Sequence, residues 1–250
     1  MTEADFLRWL LWVWFGLSAV VFVVLMFITA PYGRHARPGW GATVPAKLGW
    51  VLMELPSVAL FAAMFFLGQG GAAAMAFFII WEFHYVHRTF VFPLRMRGAV
   101  RAMPLMIMLS GFVFNMFNAY LNGRYVFSLR PLPADWLADP RFIAGVVLFV
   151  VGFAINYQAD AILRNLRRPG ETGYRIPYGG LYRWISCPNY FGELLEWAGW
   201  ALATWSLPGL AFFLWTAANL VPRAISNHRW YREQFPEYPA GRKAILPWLW

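Results

Sequence analysis

The sequence has little charge and a single cysteine. Charged residues make up 13% of its 250 residues, against about 25% in an average soluble domain, so the composition argues against a soluble protein. The one cysteine, Cys187, excludes an intrachain disulfide and a thiolate metal cage. Among only four histidines, His84 and His87 stand at i, i+3. Interfacial or hydrogen-bonded histidines are the favoured explanation for this pair, and no metal site is predicted.

Short catalytic motifs are scarce as well. The common hydrolase motifs G-x-S-x-G and H-E-x-x-H are absent. The stretch GQGGAA at 68–73 has the letters of a dinucleotide-binding fingerprint. That fingerprint needs a preceding strand, a following helix and an acidic residue about 20 positions on. Here the stretch is a short uncharged turn between two apolar runs, so it predicts no nucleotide site.

Long apolar runs dominate what is present, since 60% of the residues are hydrophobic and 20% are aromatic. A run of roughly 20 apolar residues can cross a bilayer as a helix, which satisfies its own backbone groups in lipid. The sequence therefore predicts a single all-α, polytopic membrane domain over residues 1–250. Pro208 separates the last two runs, which form either a tight hairpin or one broken element. About seven transmembrane helices are expected, at 6–29, 47–67, 71–92, 103–120, 142–163, 191–207 and 209–221.

Positive charge is distributed unevenly between the predicted loops. Most of the 21 basic residues fall after the first, third and fifth runs and in the C-terminal tail. Because cytoplasmic loops carry an excess of Lys and Arg, the N-terminus is expected outside and the C-terminus in the cytoplasm. The formal net charge of +9 is divided among separate loops, so it predicts contact with anionic lipid and no nucleic-acid partner.

Polar residues inside apolar runs are costly, and they raise the expectation of a functional site. Three sets recur at helical spacing, so each set shares one face of a helix. Hydrogen bonds that hold a helix bundle together are the alternative explanation. Three stripes near one membrane face favour a binding site instead. The stripes are Asn156, Asp160, Arg164 and Arg167; Asn189, Glu193, Glu196 and Trp197; and Arg223, Asn227 and Tyr231.

An arginine-rich loop, RRPGETGYRIPYGGLYRW, connects the first two stripes. Arginine suits phosphate because its planar guanidinium donates two parallel hydrogen bonds and remains charged. Arg167, Tyr174 and Arg175, together with the glycines of this loop, are suited to a phosphorylated cofactor that contains an aromatic ring.

One carboxyl group interrupts the second apolar run, in the stretch GWVLMELPSVALFAAMFFLG. Glu54 lies two residues before Pro56, and Trp50 lies one helical turn before Glu54 on the same face. Two explanations stand at this point: a hydrogen bond across the bundle that holds a bend at Pro56, or a catalytic group. A carboxyl group in such apolar surroundings is expected to stay protonated, and a protonated acid can donate a hydrogen bond.

From about residue 142 onward the sequence resembles a known family. The stretches NYQADAILRNLRRPGETGYRIPYGG and PRAISNHRWYREQFPEYPAGRKAILPW resemble the C-terminal half of the steroid 5α-reductase family. Shorter islands match upstream, namely YGRH at 32–35, ELPS at 54–57 and HYVHRTFVFPLRMRG at 84–98. The resemblance suggests that the chain is a prokaryote-like homologue of this family. It implies a seven-helix membrane enzyme that binds NADPH from the cytoplasmic side. It also implies reduction of the carbon–carbon double bond of a 3-oxo-Δ4-steroid.

The resemblance further implies roles for individual residues. The family's catalytic glutamate and tyrosine correspond to Glu54 and Tyr85, with residues 1–140 mainly forming the substrate pocket and 141–250 mainly binding NADPH. Trp50 and Phe114 are expected at the substrate. Where the family often has HHHR, this chain has SNHR, so Asn227 replaces a histidine of the cofactor set. The other expected cofactor contacts are Arg34, Arg101, Asn156, Asp160, Arg167, Tyr174, Arg175, Asn189, Glu193, Arg223 and Tyr231.

The implied chemistry explains why such residues are needed. Reduction of a conjugated enone delivers hydride to the β-carbon while negative charge moves onto the carbonyl oxygen. Donors already aimed at that oxygen lower the barrier, and a tyrosine paired with a neutral acid supplies them. Two alternatives remain. An enzyme similar to the isoprenylcysteine methyltransferases would bind S-adenosylmethionine and need no acid in the second run, and a non-catalytic sterol binder would need no phosphate donors.

Overall fold

The long helices follow the apolar runs. The computed structural model describes residues 2–97, 102–167, 171 and 173–248, which are mostly helical. A short antiparallel pair of strands, β1 (Thr43–Pro45) and β2 (Ala102–Pro104), connects the segments that precede two of the helices. The helices are α1 (Glu3–Phe27), α2 (Ala46–Leu67), α3 (Ala72–Val86), α4 (Phe92–Arg95), α5 (Leu105–Arg124), α6 (Pro140–Asn165), α7 (Pro188–Thr204) and α8 (Leu207–Gln234).

Four of the helices within the described residues are long and apolar enough to cross a membrane. This finding agrees with the predicted integral-membrane class. The expected count of seven spans and the orientation of the two termini remain predictions. The four helical stretches are Glu3–Phe27, Ala46–Leu67, Leu105–Leu129 and Pro140–Asn165.

The break between α7 and α8 is made by the local sequence. Trp205 has a left-handed backbone, with φ 43°, which is a common way for a helix to end. Ser206 then caps α8 by accepting a hydrogen bond from the Gly209 backbone N–H at 3.0 Å. Pro208 lies in the first turn of α8, where a missing N–H leaves no bond unmade. The tight hairpin is therefore confirmed for this region.

The last helix is longer than the sequence predicts. The apolar run ends at residue 221, but α8 continues through Pro222 to Gln234. Polar residues end the hydrophobic pattern without ending the helix, because they pack inside the protein: Arg223, Asn227 and Tyr231 are all buried. The third polar stripe therefore shares one helix face, as its spacing predicts.

The third apolar run forms α3 and α4, which are joined by a π-helical turn at His87–Val91. Such turns are rare and occur frequently at functional sites, because they re-aim the side chains of a helix. The turn carries Arg88, whose side chain is 19% exposed. Arg88 lies within the predicted run at 71–92 and is a largely buried residue of the bundle.

The backbones of helices α6 and α7 lie in direct contact. A Cβ on Gly145 would lie 2.5 Å from the Gly199 carbonyl oxygen, and a Cβ on Gly152 would lie 2.5 Å from the Gly192 carbonyl oxygen. Small residues permit this kind of contact between membrane helices. Because the glycines are seven residues apart on each helix, the contact extends over two turns. It brings the first two polar stripes face to face.

An aromatic core lies between α2, α3 and α7. The rings of Phe61 and Trp81 stack with centroids 4.3 Å apart, and both side chains are fully buried. The Trp81 indole N–H donates to the Ser57 carbonyl oxygen at 2.9 Å, and the Trp200 indole N–H donates to Asn122 Oδ1 at 2.9 Å. Buried indoles usually find such a partner. The bond to Ser57 fixes α3 against α2 within one turn of Glu54.

Gly145→Ala should destabilise the protein by about 1–3 kcal/mol, because the added methyl group meets backbone that cannot move independently of α7. The melting temperature of purified protein in detergent measures the change. Gly16→Ala is the matched control, since a Cβ at that helical glycine would meet nothing within 4 Å. Equal melting temperatures for the two variants would contradict the close α6–α7 contact.

Candidate active site

The Glu54 carboxyl is buried in α2 and is hydrogen-bonded to α5. Its side chain accepts from Asn115 Nδ2, which lies 3.1 Å from Oε2. The same Nδ2 donates to the Met53 carbonyl oxygen at 2.8 Å, and Ser57 Oγ donates to Asn115 Oδ1 at 2.9 Å. Glu54 is buried in the apolar bundle as expected, but its carboxyl also has polar neighbours. A polar side chain from a different helix lies against it, which the sequence of α2 could not reveal.

A cation lies on the other side of this carboxyl. Arg88 Nε is 3.6 Å from Glu54 Oε1, and the guanidinium carbon lies over the rings of Trp50 at 4.5 Å and Phe92 at 4.9 Å. Trp50 therefore does share the face of Glu54, as its spacing predicts. Sequence reasoning missed Arg88 at the site because it treated the residue as a loop cation. The available signal was its position three residues after Tyr85 and four after His84 on one helix face.

Tyr85 lies deep in the bundle, where it is 3% exposed. Its ring packs against Trp81 and Trp197, with centroids 4.8 and 5.6 Å away. The charge of the Glu54 carboxyl acts on the Tyr85 hydroxyl, and so does that of Arg88. The two expected catalytic residues, on α2 and α3, are therefore close enough for the charge of one to affect the other.

Next to Tyr85, His84 forms a buried pair with an acid of the second stripe. His84 Nδ1 lies 2.5 Å from Glu196 Oε2, and the pair joins α3 to α7. The prediction of a hydrogen-bonded histidine is confirmed. Glu196 Oε1 is buried and has no hydrogen-bond partner within the described part of the chain.

The first two stripes meet across the α6–α7 contact. Asn156 Nδ2 donates to the Asn189 carbonyl oxygen at 3.0 Å, and Asn189 Nδ2 donates to Asp160 Oδ1 at 3.2 Å. The charge of Glu193 acts on Asp160, and both of these acids act on Arg88. The expected cofactor residues of α6 and α7 are therefore adjacent, and their charges reach Arg88, which contacts Glu54.

The third stripe contacts the segment between α1 and β1. His35 Nε2 donates to Asn227 Oδ1 at 2.9 Å, and burial lowers the pKa of His35, so the ring is neutral at neutral pH. Asn227 Nδ2 also lies 3.7 Å from Cys187 Sγ. Burial raises the pKa of the Cys187 thiol to about 11, which leaves this sulfur protonated and unreactive.

Arg34 is surrounded by aromatic rings. Its guanidinium carbon lies over Tyr231 at 4.4 Å, Trp230 at 5.0 Å and Tyr174 at 5.4 Å. Nη1 of Arg34 is buried and has no hydrogen-bond partner among the residues that the structure describes. Arg167 also lies over the Tyr174 ring, at 4.4 Å. An unsatisfied guanidinium donor beside tyrosine and tryptophan rings suits a phosphorylated ligand that carries a ring system.

Arg223 differs from the other expected cofactor residues because its donors are already engaged. Its three guanidinium nitrogens donate to the Tyr190 hydroxyl at 3.2 Å and to the carbonyl oxygens of Ala30 at 3.3 Å and Tyr32 at 3.0 Å. The guanidinium also stacks on the Tyr32 ring at 3.5 Å. Arg223 thus holds the segment after α1 against α8, a structural role that the sequence did not indicate.

Other expected site residues lie apart from this cluster. Phe114 packs against Trp14 at 5.6 Å and Trp215 at 5.2 Å, between α1, α5 and α8. Arg175 is exposed and pairs with Glu171 at 3.3 Å. Arg101 falls outside the described residues.

A groove of about 610 Å³ opens between α6 and the second half of the arginine-rich loop. It lies beside the expected cofactor loop and contains one arginine. Its lining residues are Ile155, Gln158, Tyr178, Gly179, Gly180, Leu181, Arg183 and Trp184.

Polar side chains from α2, α3, α5, α6 and α7 therefore converge inside a bundle of apolar helices. Buried ionisable groups in that setting are expensive and mark a functional centre rather than a packing solution. Together, the fold and the site define a small integral-membrane protein with an internal polar centre, which is the class of the membrane-embedded enzymes.

Comparisons with known proteins identify the family. The family model described as 3-oxo-5-alpha-steroid 4-dehydrogenase matches residues 101–250. The 3-oxo-5-alpha-steroid 4-dehydrogenase 1 of Bos taurus is 43% identical over 244 residues, which cover 94% of this chain and 93% of the relative. That of Rattus norvegicus is 44% identical over 243 residues, with 94% and 92% covered. Steroid 5-alpha-reductase DET2 of Gossypium hirsutum is 43% identical over 235 residues, with 91% of each covered.

The chain belongs to the steroid 5α-reductase family, as its sequence motifs predict. Family members are oxidoreductases of steroid metabolism. The relatives named above come from animals and a plant, so they do not support the expectation of a prokaryote-like homologue.

Asn115→Leu should destabilise the protein by about 1–3 kcal/mol, because Glu54 and Ser57 lose a buried partner. Thermal unfolding in detergent measures the change. Met116→Leu is the control on the neighbouring residue, which is 42% exposed and takes no part in the hydrogen bonds of Asn115. An Asn115→Leu variant as stable as the control would show that the α2–α5 bonds contribute nothing.

Proposed function

We propose that this protein uses NADPH to reduce the Δ4 carbon–carbon double bond of a 3-oxo-Δ4-steroid. The single observation that carries the proposal is a buried carboxyl, Glu54, beside Tyr85 in a chain about 43% identical to proteins named for this activity. The substrate is apolar and is expected to enter from the lipid bilayer. Family membership favours this reduction over methyl transfer from S-adenosylmethionine and over sterol binding without chemistry.

The reaction adds a hydride to the β-carbon of the enone and a proton to the α-carbon. NADPH, when bound, supplies the hydride. As the hydride arrives, negative charge develops on the C3 carbonyl oxygen, and hydrogen-bond donors aimed at that oxygen stabilise the transition state. Tyr85 donates through its hydroxyl, and Glu54 donates as a neutral acid in the proposed mechanism. Trp50, which packs against the Arg88 guanidinium beside Glu54, offers a flat apolar wall for the steroid.

The cofactor residues divide into two groups by chemistry. Arg34 has a buried donor available for phosphate, with Arg167 and Tyr174 beside it. Asn156, Asp160, Asn189 and Glu193 offer amide and carboxylate groups suited to ribose hydroxyls and the nicotinamide amide. Tyr231 and Asn227 extend this set along α8, with Arg175 and Arg101 as further contacts. We place the cofactor at the cytoplasmic side on the basis of the loop charges alone.

The two halves of the chain take different parts in this proposal. Residues 1–140 supply Glu54, Tyr85 and Trp50, with Phe114 further along α5, and so form most of the substrate pocket. Residues 141–250 supply most of the NADPH contacts. Arg34 is an exception, since it belongs to the first half but lies against Tyr231 of α8.

Glu54→Ala and Tyr85→Phe should each lower kcat by about 10²–10³, because each removes one donor from the carbonyl oxygen. Glu54→Gln should keep part of the activity, since an amide N–H also donates. Purified protein in detergent is given NADPH and a 3-oxo-Δ4-steroid, and the saturated product is measured by mass. Glu82→Gln is the control, because that carboxyl lies on α3 outside the cluster. Wild-type turnover by folded Glu54→Ala would refute the role of Glu54.

Arg34→Gln should weaken NADPH binding roughly 10- to 100-fold, the value of one charge-assisted hydrogen bond of about 1.5–3 kcal/mol. Titration of NADPH against tryptophan fluorescence gives the dissociation constant, and S-adenosylmethionine serves as the non-binding ligand. Arg37→Gln, an exposed arginine three residues away, is expected to bind NADPH like the wild type. Tight binding of S-adenosylmethionine, with none of NADPH, would favour the methyltransferase alternative.

A further inference from the structure

Arg88 contacts Glu54 and Trp50, and the charges of Glu193 and Asp160 act on it. The proposed mechanism gives it no role in the reaction. We propose that Arg88 is a positioning residue for the reduction: it orients the Glu54 carboxyl and the Trp50 ring for the substrate. The inference rests on the proposed function, because it concerns how the donor at the carbonyl oxygen is held.

The first support is the way the two carboxyl oxygens are divided. Asn115 Nδ2 lies 3.1 Å from Oε2, and Arg88 Nε lies 3.6 Å from Oε1. These partners come from α5 and from the π-helical turn after α3, so they reach the carboxyl from two different helices. A carboxyl group with one partner can rotate about its terminal torsion, which is broad in energy. Contacts from two elements restrict that rotation.

The second support is that Arg88 is itself held in place. Its guanidinium carbon lies 4.5 Å from the Trp50 ring centre and 4.9 Å from that of Phe92. A planar guanidinium stacks on aromatic faces, whereas an ammonium group has no flat surface to present. Trp50 and Glu54 are one helical turn apart on α2. One arginine therefore sets the positions of two neighbouring residues on the proposed substrate face.

The third support is the charge around Arg88. The acids Glu193 on α7 and Asp160 on α6 act on its charge. They attract the guanidinium toward the expected cofactor residues, while its stacking on Trp50 and Phe92 keeps it beside Glu54. Small errors in such positioning are costly, since a displacement of about 1 Å can lower a rate by about 10².

A double-mutant cycle with Glu54 separates positioning from general support of the fold. Arg88→Met should lower kcat at least ~10-fold in the wild-type background. In the Glu54→Ala background the same change should lower kcat by less than ~3-fold, because only the contact of Arg88 with Trp50 is then left to lose. Arg88→Lys should give a kcat between those of Arg88→Met and the wild type, since lysine keeps the charge but lacks the planar guanidinium. Melting temperatures accompany each variant.

Arg95→Met is the matched control on the same helical segment. Arg95 is exposed and donates to the Tyr157 hydroxyl at 2.8 Å, away from Glu54, so its variant should turn over at the wild-type rate. Equal losses from Arg88→Met in both backgrounds would overturn the inference and leave Glu54 as an independent donor. So would wild-type kcat in Arg88→Met. If Glu54→Ala alone has wild-type kcat, the proposed role of Glu54 fails first, whatever Arg88 does. Should Arg88→Met not fold, Arg88→Lys enters the cycle with the same criterion of non-additivity.

Discussion

The arrangement of this site depends on one buried carboxyl group that is held from two sides. Glu54 bonds to Asn115 on α5, and Arg88 approaches its other oxygen from the turn after α3. A carboxyl in an apolar helix is tolerated only where other polar groups compensate it. Those groups in turn fix how α2, α3 and α5 pack, because each donor has to reach the same point. The polar centre is thus a constraint on the fold as well as a site for chemistry.

A second constraint places the expected cofactor residues beside that carboxyl. The glycines of α6 and α7 let the two backbones touch, so Asn156 reaches the Asn189 carbonyl oxygen directly. On the same face of α7, Glu196 pairs with His84 and ties the helix to α3. The residues proposed for the substrate on α2 and α3 and those proposed for the cofactor on α6 and α7 therefore belong to one packing arrangement. A reduction needs this, because hydride donor and acceptor have to meet within van der Waals distance.

The helices were largely predictable, because apolar length alone determines where a chain can cross lipid. The end of α8 was not, since the apolar run stops at residue 221 and the spacing of Arg223, Asn227 and Tyr231 did not show that they continue the same helix. In the site, residues on one helix could be grouped from their spacing, as Trp50 with Glu54 or Asn156 with Asp160. Asn115 could not be added, because a spacing rule describes one helix and its contact with Glu54 joins two. Spacing could have grouped Arg88 with Tyr85, but it could not connect Arg88 with Glu54. The resemblance to the steroid 5α-reductases, and not the spacing, connected Glu54 with Tyr85.

The central claim is that Glu54 donates a hydrogen bond to a steroid ketone oxygen, and the infrared spectrum of the bound ketone tests it most directly. A saturated 3-oxo-steroid, labelled with ¹³C at the carbonyl carbon, binds without being reduced, and isotope-edited difference spectra isolate its carbonyl stretch. The account predicts a lower stretching frequency in the protein than in an apolar solvent, with part of that shift lost in Glu54→Ala. An identical carbonyl frequency in wild type and Glu54→Ala, both saturated with ligand, would contradict it.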